Sequence, residues 1–200
     1  MSNFTDFFPA ASGGGGGGIP KYQDFTSSGT FTPTQALIDA GGRVAYFIVG
    51  GGERAGQNYG DSAFRYGGAG GQIKVGYATL TSTTGCAVTI GAGGSSNGAN
   101  GGNSSIAFNS AGGVAVTANG GSGGQNSSGG AAGAHRNVSG STHNPTAAQS
   151  GTFGYGYGGS SYVNTTDGGG GVSSPPANSG SGSSYGTNAA AGFVRITWFE

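Results

Sequence analysis

The chain changes abruptly from strand-like sequence to glycine at the end of residues 44–49. This run, Val-Ala-Tyr-Phe-Ile-Val, is short, β-branched and aromatic, which is typical of a strand, and glycine fills residues 50–52. Both alternating faces of the run are apolar, so we expect a central strand that is covered on both sides. The same junction recurs at residues 87–94, where Ala-Val-Thr-Ile continues into Gly-Ala-Gly-Gly. The fold must therefore join a packed sheet to many glycine-rich segments.

Glycine supplies 49 of the 200 residues and charged residues only 7%, against about 7% and about 25% in average proteins. Such a composition normally indicates disorder. An ordered glycine segment must offset an entropy cost of roughly 0.5–1 kcal/mol per residue relative to alanine. Polyproline-II-like glycine helices that hydrogen-bond side by side would do so. We therefore predict a packed bundle of such helices in the excursion at residues 119–188, with a flexible linker as the alternative.

The remaining pattern predicts an all-β domain. We expect two short strands joined by a turn within residues 22–32, and strands at 72–77, 86–90 and 191–200. Residues 105–108 and 114–117 form a predicted hairpin, and residues 33–40 a helical turn ended by glycine. No strand or helix is predicted within 119–188. The domain organisation expected is an N-terminal attachment arm with a poly-glycine linker at 1–18, then a glycine-rich β-sandwich at 19–200, with the excursion inserted before the last strand.

Charge, hydropathy and cysteine content exclude several classes of function. The net charge is zero and no basic stripe exists, which argues against nucleic-acid binding. No apolar run approaches the roughly 20 residues that span a bilayer, so we expect no membrane insertion. The N-terminal residues include Asp6 and lack the basic region of a secretory signal. Cys86 is the single cysteine, which fits synthesis in a reducing cytoplasm.

Sequence motifs for catalysis are present only as matches that composition explains. Gly-x-Ser-x-Gly occurs at Ser96, Ser122 and Ser184, but no helix is expected after any of them, as a nucleophile elbow requires. His135 and His143 lack nearby cysteine or glutamate, so no metal site is predicted. We expect no enzyme activity, no catalytic residues and no cofactor.

Aromatic residues in glycine- and serine-rich surroundings are the better candidates for a binding site. Tyr155, Tyr157 and Tyr162 have the Tyr/Ser/Gly character of adaptable binding surfaces. The alternative is that their rings only cover glycine helices. The candidate receptor-binding residues are Tyr155, Tyr157, Tyr162, Tyr185, His135 and His143.

The N-terminal arm at residues 2–12 carries Phe4, Phe7 and Phe8 on an otherwise polar segment, followed by glycine at 13–18. These aromatic residues are candidates for attachment to a partner or a neighbouring subunit. The alternative is an arm that folds back on its own domain. Met1 and a last strand that runs to Glu200 lead us to expect a separate small subunit, which would need such an attachment point.

Five stretches share a pattern of short strand-like runs joined to glycine. They are Phe-Thr-Ser-Ser-Gly-Thr-Phe-Thr-Pro at 25–33, Val-Ala-Tyr-Phe-Ile-Val-Gly-Gly-Gly at 44–52, Gly-Gly-Ala-Gly-Gly at 67–71, Ala-Val-Thr-Ile-Gly-Ala-Gly-Gly at 87–94 and Gly-Phe-Val-Arg-Ile-Thr-Trp at 192–198. Together they resemble the glycine-rich domain of bacteriophage tail-fibre and tail-tip proteins, over about residues 22–200. A more distant similarity is to the glycine-rich domain of anaplastic-lymphoma-kinase-type receptors, and the part after residue 119 resembles phage adhesins with polyglycine-II sandwiches.

The resemblance implies an antiparallel, jelly-roll-like β-sandwich with long polyglycine-II-like loops, a homotrimer and a place in the virion tail. Expected partners are other tail proteins and a host cell-surface glycan or outer-membrane protein. Two functions stay open: a receptor-binding adhesin, and a structural virion protein that joins or decorates tail components without host contact. An enzyme such as a depolymerase is the third and least favoured hypothesis.

Overall fold

The computed structural model describes residues 18–57, 65–66, 68–110, 112–113, 115–122, 135–136, 142–143, 150–151, 177–183 and 187–200. Within them almost all regular structure is strand, so the prediction of an all-β protein is confirmed. The elements are β1 (Pro20–Phe25), β2 (Gly29–Phe31), α1 (Gln35–Asp39), β3 (Arg43–Val49), β4 (Gly56–Gln57), β5 (Arg65–Tyr66), β6 (Ile73–Thr79), β7 (Cys86–Thr89), β8 (Ser104–Ala107), β9 (Ala115–Ala118), β10 (His135–Arg136), β11 (Thr142–His143), β12 (Ser150–Gly151) and β13 (Phe193–Phe199).

The larger sheet has the strand order β1-β13-β3-β6-β10-β11. Its pairs are antiparallel, apart from the parallel pair between β6 and β10. Val44 lies opposite Trp198 at one end of the β3–β13 pair, and Val49 lies opposite Phe193 at the other. As expected, β3 is central, and the last strand of the chain returns to the same sheet beside it.

The second main sheet has the order β2-β7-β8-β9 and is antiparallel throughout. The predicted hairpin is present as β8 and β9, with Ile106 opposite Val116. The two strands predicted within 22–32 also form, but they enter different sheets, since β1 pairs with β13 and β2 with β7. Phe25 and Phe31 are both buried in the core, so the turn between them carries the chain from one sheet to the other.

The hydrophobic core lies between these two sheets. The larger sheet contributes Ile48 and Ile196, and the smaller sheet contributes Ile106, each with no exposed surface. The ring of Phe31 meets Trp198 edge-on, with centroids 5.2 Å apart, a geometry that aromatic pairs prefer. The structure is thus a β-sandwich whose two inner faces supply one core.

A short helix, α1, closes one side of the core. Its Leu37 is buried, and the Thr34 hydroxyl accepts a hydrogen bond from the Leu37 N–H at 3.1 Å as an N-cap. Two glycines at 41 and 42 follow, both with positive φ. The predicted helical turn is therefore confirmed. In the part of the chain that the structure describes, no helix is long and apolar enough to cross a membrane.

Two expectations need correction. The face of β3 away from the core is only partly covered, because Ala45 and Phe47 are half-buried while Val49 at its end is fully buried. The glycine-rich segment around Gly180 lies against the Val49 side chain. The excursion at 119–188 also contains β10, β11 and β12, although no strand was predicted there. Each is two residues long, too short to show a period in the sequence.

Candidate functional site: a glycine bundle

Seven extended segments lie at the end of the sandwich where β3 terminates, and we call them the glycine bundle. Six of them continue a strand: three follow β3, β7 and β9, and three precede β6, β8 and β13. The members are residues 50–55, 68–72, 91–94, 99–103, 119–122, 179–183 and 189–192. Because nearly every strand at this end passes into glycine, the sandwich brings the segments together.

Residues 50–55 are the central segment of the bundle, and their N–H groups donate in a repeating order. Gly50 and Glu53 donate to the same neighbour, residues 68–72, at 2.9 and 2.8 Å. Gly51 and Arg54 donate to a second neighbour, residues 99–103, at 2.9 and 3.0 Å. Donors three residues apart therefore bond to the same neighbouring segment, so the pattern of donors repeats every three residues.

The remaining bonds of the central segment reach four further neighbours. The Gly52 N–H donates to Ala190 in 189–192 at 2.9 Å. The carbonyl oxygens of Gly51, Gly52 and Glu53 accept from residues in 119–122, 91–94 and 179–183, respectively. The central segment is thus hydrogen-bonded to all six other segments.

The six outer segments are also hydrogen-bonded to one another in a closed ring. Each of them bonds to the next by at least one backbone N–H···O=C contact of 2.8 or 2.9 Å. A ring of six around one satisfies backbone groups in every direction, which buried polar groups require. In order around the ring, representative bonds are Gly71 to Gly180, Gly180 to Ala191, Gly192 to Gly91, Gly102 to Ala92, Gly101 to Gly121, and Gln72 to Asn119.

Close approach of neighbouring carbonyl groups explains the glycine content of the central segment. A Cβ atom built on Gly50, Gly51 or Gly52 would lie 2.1, 2.2 or 2.1 Å from the carbonyl oxygens of Asn119, Ala92 and Ser181, where real Cβ atoms stay beyond 3.0 Å. Any side chain here would push two segments apart. The same conflict exists in the outer segments at Gly68, Gly71, Gly91, Gly93, Gly94, Gly101, Gly120, Gly121, Gly182 and Gly192.

Small polar side chains complete the bonding of the bundle. The buried Ser104 hydroxyl of β8 accepts from the Gly91 N–H at 3.0 Å, and the buried Ser183 hydroxyl donates to the Thr187 carbonyl at 2.6 Å. Glu53 has no exposed surface, and its Oε2 accepts from the Ala69 N–H at 3.0 Å. Arg54 donates to the Asn188 amide oxygen at 2.8 Å. Side chains thus fix the segments to the sandwich and to one another.

The N-terminal arm joins the sandwich at the end opposite the glycine bundle. The Ile19 N–H donates to the Glu200 carbonyl at 2.8 Å, and Pro20 lies opposite Phe199. The bundle begins beside Phe193, at the other end of β13. Seven residues of strand at about 3.3 Å each separate the two ends by about 20 Å. The molecule therefore has two distinct poles.

Charged groups reinforce the pole where the arm enters. The Glu200 carboxylate contacts the side chains of Lys21 and Thr34. Hydrogen bonds from the Lys21 ammonium and the Thr34 hydroxyl, together with the positive charge of Lys21, hold the pKa of Glu200 below its usual range. Desolvation of the carboxylate has a smaller effect in the opposite direction. These contacts tie the end of β13 to β1 and to the cap of α1.

The predicted binding residues are described only in part. Tyr155, Tyr157 and Tyr162 lie outside the described residues, in the chain between Gly151 and Ala177. Tyr185 also lies outside them, between Ser183 and Thr187. The arm residues Phe4, Phe7 and Phe8 precede the first described residue, Gly18.

The backbone of the two histidines is described, and it brings them together. His135 of β10 lies directly opposite His143 of β11, and Arg136 lies beside Lys74 of β6. The sequence separated these histidines by eight positions, and only the strand pairing makes them neighbours. Among the residues that the structure describes, no group of three His, Cys, Asp or Glu side chains could hold a metal ion.

Sequence reasoning missed most members of the bundle. The bundle was predicted within 119–188, yet five of the seven segments lie elsewhere in the chain. The sequence signal for the bundle was the short glycine run at the end of each strand. Two of these runs, at 50–52 and 91–94, were recognised as a repeated junction between strand and glycine.

Comparison with protein-family models, curated proteins and solved structures finds no significant match to this chain. Function is therefore inferred from the sequence resemblance and the arrangement of the residues.

Proposed function

We propose that this chain is a bacteriophage virion protein of the tail fibre or tail tip that binds a host receptor, either a cell-surface glycan or an outer-membrane protein. In this proposal it is made in the host cytoplasm, assembles as a homotrimer with other tail proteins, and is neither an enzyme nor dependent on a cofactor. The sandwich is proposed to be of the jelly-roll type.

We further propose that the bundle segments are polyglycine-II-like helices. Three residues per turn is the period of that helix, and donors three apart share a neighbour in the central segment. The six neighbours of residues 50–55 are the number expected for hexagonal packing of equal rods. A packed lattice of this kind would give the loops that leave it a rigid base.

The observation that carries the proposal is the position of the bundle at the pole opposite the arm. In the sequence, Tyr155, Tyr157 and Tyr162 lie between the bundle segments 119–122 and 179–183, and Tyr185 lies between the bundle segments 179–183 and 189–192. We propose that these connections form loops supported by the bundle. Loops on a rigid scaffold are where binding residues concentrate, while an arm at the far pole is suited to attachment.

The test is binding of fluorescently labelled full-length protein to a panel of bacterial strains. We expect the double variant Tyr155→Ala/Tyr157→Ala to lose at least about tenfold in cell binding, as loss of interface hot spots does, at an unchanged melting temperature. The matched control is Tyr22→Ala, which removes an exposed tyrosine of β1 and should bind as the unmodified protein does. Unchanged binding by the double variant would remove the site assignment.

The second candidate function is that of a structural virion protein, favoured by the aromatic arm and its attachment at the far pole. Deleting residues 2–12 should then prevent incorporation into particles while the remaining domain still folds. Normal adsorption of particles that lack the protein would establish this structural role over receptor binding. Shortening of a host polysaccharide by the purified protein would overturn both and support a depolymerase.

A further inference from the structure

One edge of the larger sheet collects basic residues from three strands, and we call Lys74, His135, Arg136 and His143 the basic edge. The register places Lys74 of β6 beside Arg136 of β10, and His135 of β10 opposite His143 of β11. Neighbouring strands lie about 4.8 Å apart and successive residues about 3.3 Å apart, so the four backbone positions fall within about 10 Å of one another. The whole chain has seven lysine and arginine residues and two histidines. The basic edge therefore concentrates positive charge in a chain whose net charge is zero.

The acidic residues that the structure describes do not neutralise the basic edge. Lys74 is half-buried, and none of these carboxylates lies within salt-bridge distance of it. Each has a partner elsewhere: Asp24 bonds to Arg195, Asp39 to Gln35, Glu53 to the Ala69 N–H and Glu200 to Lys21. Like charges in neighbouring positions of a sheet destabilise it. A bound anion would remove this repulsion.

The basic edge lies beside the glycine bundle. Lys74 is the second residue of β6, the strand that follows the bundle segment 68–72, and it lies opposite Ile48 near the end of β3. Arg43 begins β3 and lies opposite Thr79. Five residues of strand separate Arg43 from Ile48, which is about 17 Å. The basic edge thus belongs to the bundle pole, whereas Arg43 belongs to the arm pole.

We propose that the basic edge binds an anionic saccharide, one that carries carboxylate or phosphate groups. Lysine and arginine form charge-assisted hydrogen bonds to both kinds of group. Paired histidines also suit a divalent metal ion, but the neighbouring charges of Lys74 and Arg136 would repel it. The inference rests on the proposed function: it names the chemistry of the glycan and adds Lys74 and Arg136 to the candidate residues His135 and His143.

Calorimetric titration of the full-length protein with purified polysaccharides tests the proposal. The probes are polygalacturonate for carboxylate groups, a phosphomannan for phosphate groups and dextran as the neutral reference, all at low ionic strength. We expect at least one of the two anionic probes to bind and dextran not to bind. Binding of neither anionic probe, or equal binding of dextran, would overturn the proposal.

Charge-removing variants then locate the site. Arg136→Gln and Lys74→Gln should each lose about tenfold in affinity for the anionic probe, as loss of a hydrogen bond between charged groups does. The matched control is Arg43→Gln, which makes the same change in net charge on the same sheet and should bind as the unmodified protein does. An equal loss in Arg43→Gln would show a general effect of charge and would overturn the proposal.

Melting temperatures without a polysaccharide give a second readout. Because neighbouring cations repel each other, Arg136→Gln should melt at or above the temperature of the unmodified protein in low-salt buffer. A lower melting temperature would show that the chain itself neutralises Arg136, and it would overturn the proposal. So would stabilisation by zinc chloride that His135→Gln/His143→Gln abolishes, because the edge would then be a metal site.

These experiments use no cells, so the two levels of inference fail separately. If bacteria bind through Tyr155 and Tyr157 but neither anionic probe binds, the anionic saccharide is wrong and the proposed function stands. If an anionic probe binds at the basic edge but no bacterial strain binds the protein, the proposed function is wrong and the site stands.

Discussion

The sandwich and the glycine bundle are both packed, but different chemistry holds each together. In the sandwich, side chains such as Ile48 and Ile196 lose all contact with solvent, and burial of apolar surface stabilises the fold. In the bundle, residues 50–52 are glycines without side chains, and backbone hydrogen bonds join the central segment 50–55 to six neighbours. Ile48 and Ile196 therefore stabilise the sandwich through their side chains, whereas Gly50, Gly51 and Gly52 fit the bundle because they have none.

The two regions are nevertheless one structural unit, since six bundle segments are continuations of strands. Glycine segments lose much conformational entropy on ordering, and the sandwich lowers that cost because it fixes one end of each segment. Loss of the sandwich core should then release the bundle as well.

Replacing Ile48 with Asp should unfold both regions together. The change buries a charge without a partner in the core, and such substitutions rank among the most destabilising known. Circular dichroism and limited proteolysis should show loss of the whole domain, whereas the control Thr89→Asp at an exposed site of β7 should fold. If residues 50–55 kept their protection from protease in Ile48→Asp, the bundle would be an independent unit.

Replacing Gly51 with Ala should destabilise the protein by about 3 kcal/mol, the upper range for an added methyl group in a packed interior. The new Cβ would lie 2.2 Å from the Ala92 carbonyl oxygen. The control is Gly29→Ala in β2, where the nearest atoms are Phe25 ring carbons at 3.6 Å. There the same change should be neutral or stabilise by about 0.4–1 kcal/mol. Urea denaturation measures both, and equal effects would show that the bundle tolerates side chains as the sandwich does.

Replacing Ser104 with Ala should cost about 1–3 kcal/mol, because it leaves the Gly91 N–H without its acceptor in a buried site. This hydroxyl joins a sandwich strand to a bundle segment. Ser105→Ala, on the same strand but half-buried, is the matched control and should change stability by less than about 0.5 kcal/mol. A difference near zero between the two variants would show that the contact contributes nothing.

The smallest expected effect is a pH dependence at the arm pole. The pKa of Glu200 is lowered in the folded state, so below the ordinary glutamate pKa of about 4.3 the unfolded chain takes up the proton first. The stabilisation is complete above that pH and is lost as the pH falls through the folded pKa. The melting temperatures of the unmodified protein and Glu200→Gln should converge as the pH falls below the ordinary glutamate pKa of about 4.3. A difference that stays constant as the pH is lowered would contradict the assignment.

Sequence patterns predicted the sandwich well where side chains encode the structure. β3, β13 and the β8–β9 hairpin follow from runs of β-branched and apolar residues, and α1 from the helical turn at 33–40 that glycine ends. The assignment of β1 and β2 to different sheets could not be predicted, because strand-like sequence does not say which partner a strand will choose. That choice depends on where Phe25 and Phe31 are buried.

The bundle could be predicted only in part. Glycine runs after 44–49 and 87–90 indicated that strands pass into glycine, but a bundle of glycine helices was expected within 119–188, and the helical character of the segments stays a prediction. Which segment lies at the centre could not be predicted, because glycine has no side chain to distinguish one neighbour from another. The order of the ring is set by the order of strands in the two sheets.

Amide hydrogen exchange at residues 50–54 tests the central claim most directly. Each of these N–H groups donates to a neighbouring segment, so each should exchange only through unfolding of the domain. Site-resolved measurement by NMR should therefore give them protection close to that of residues 44–48 in β3. Exchange at the rate of an unstructured peptide, with β3 still protected, would show that the central segment is a flexible linker and would contradict the account.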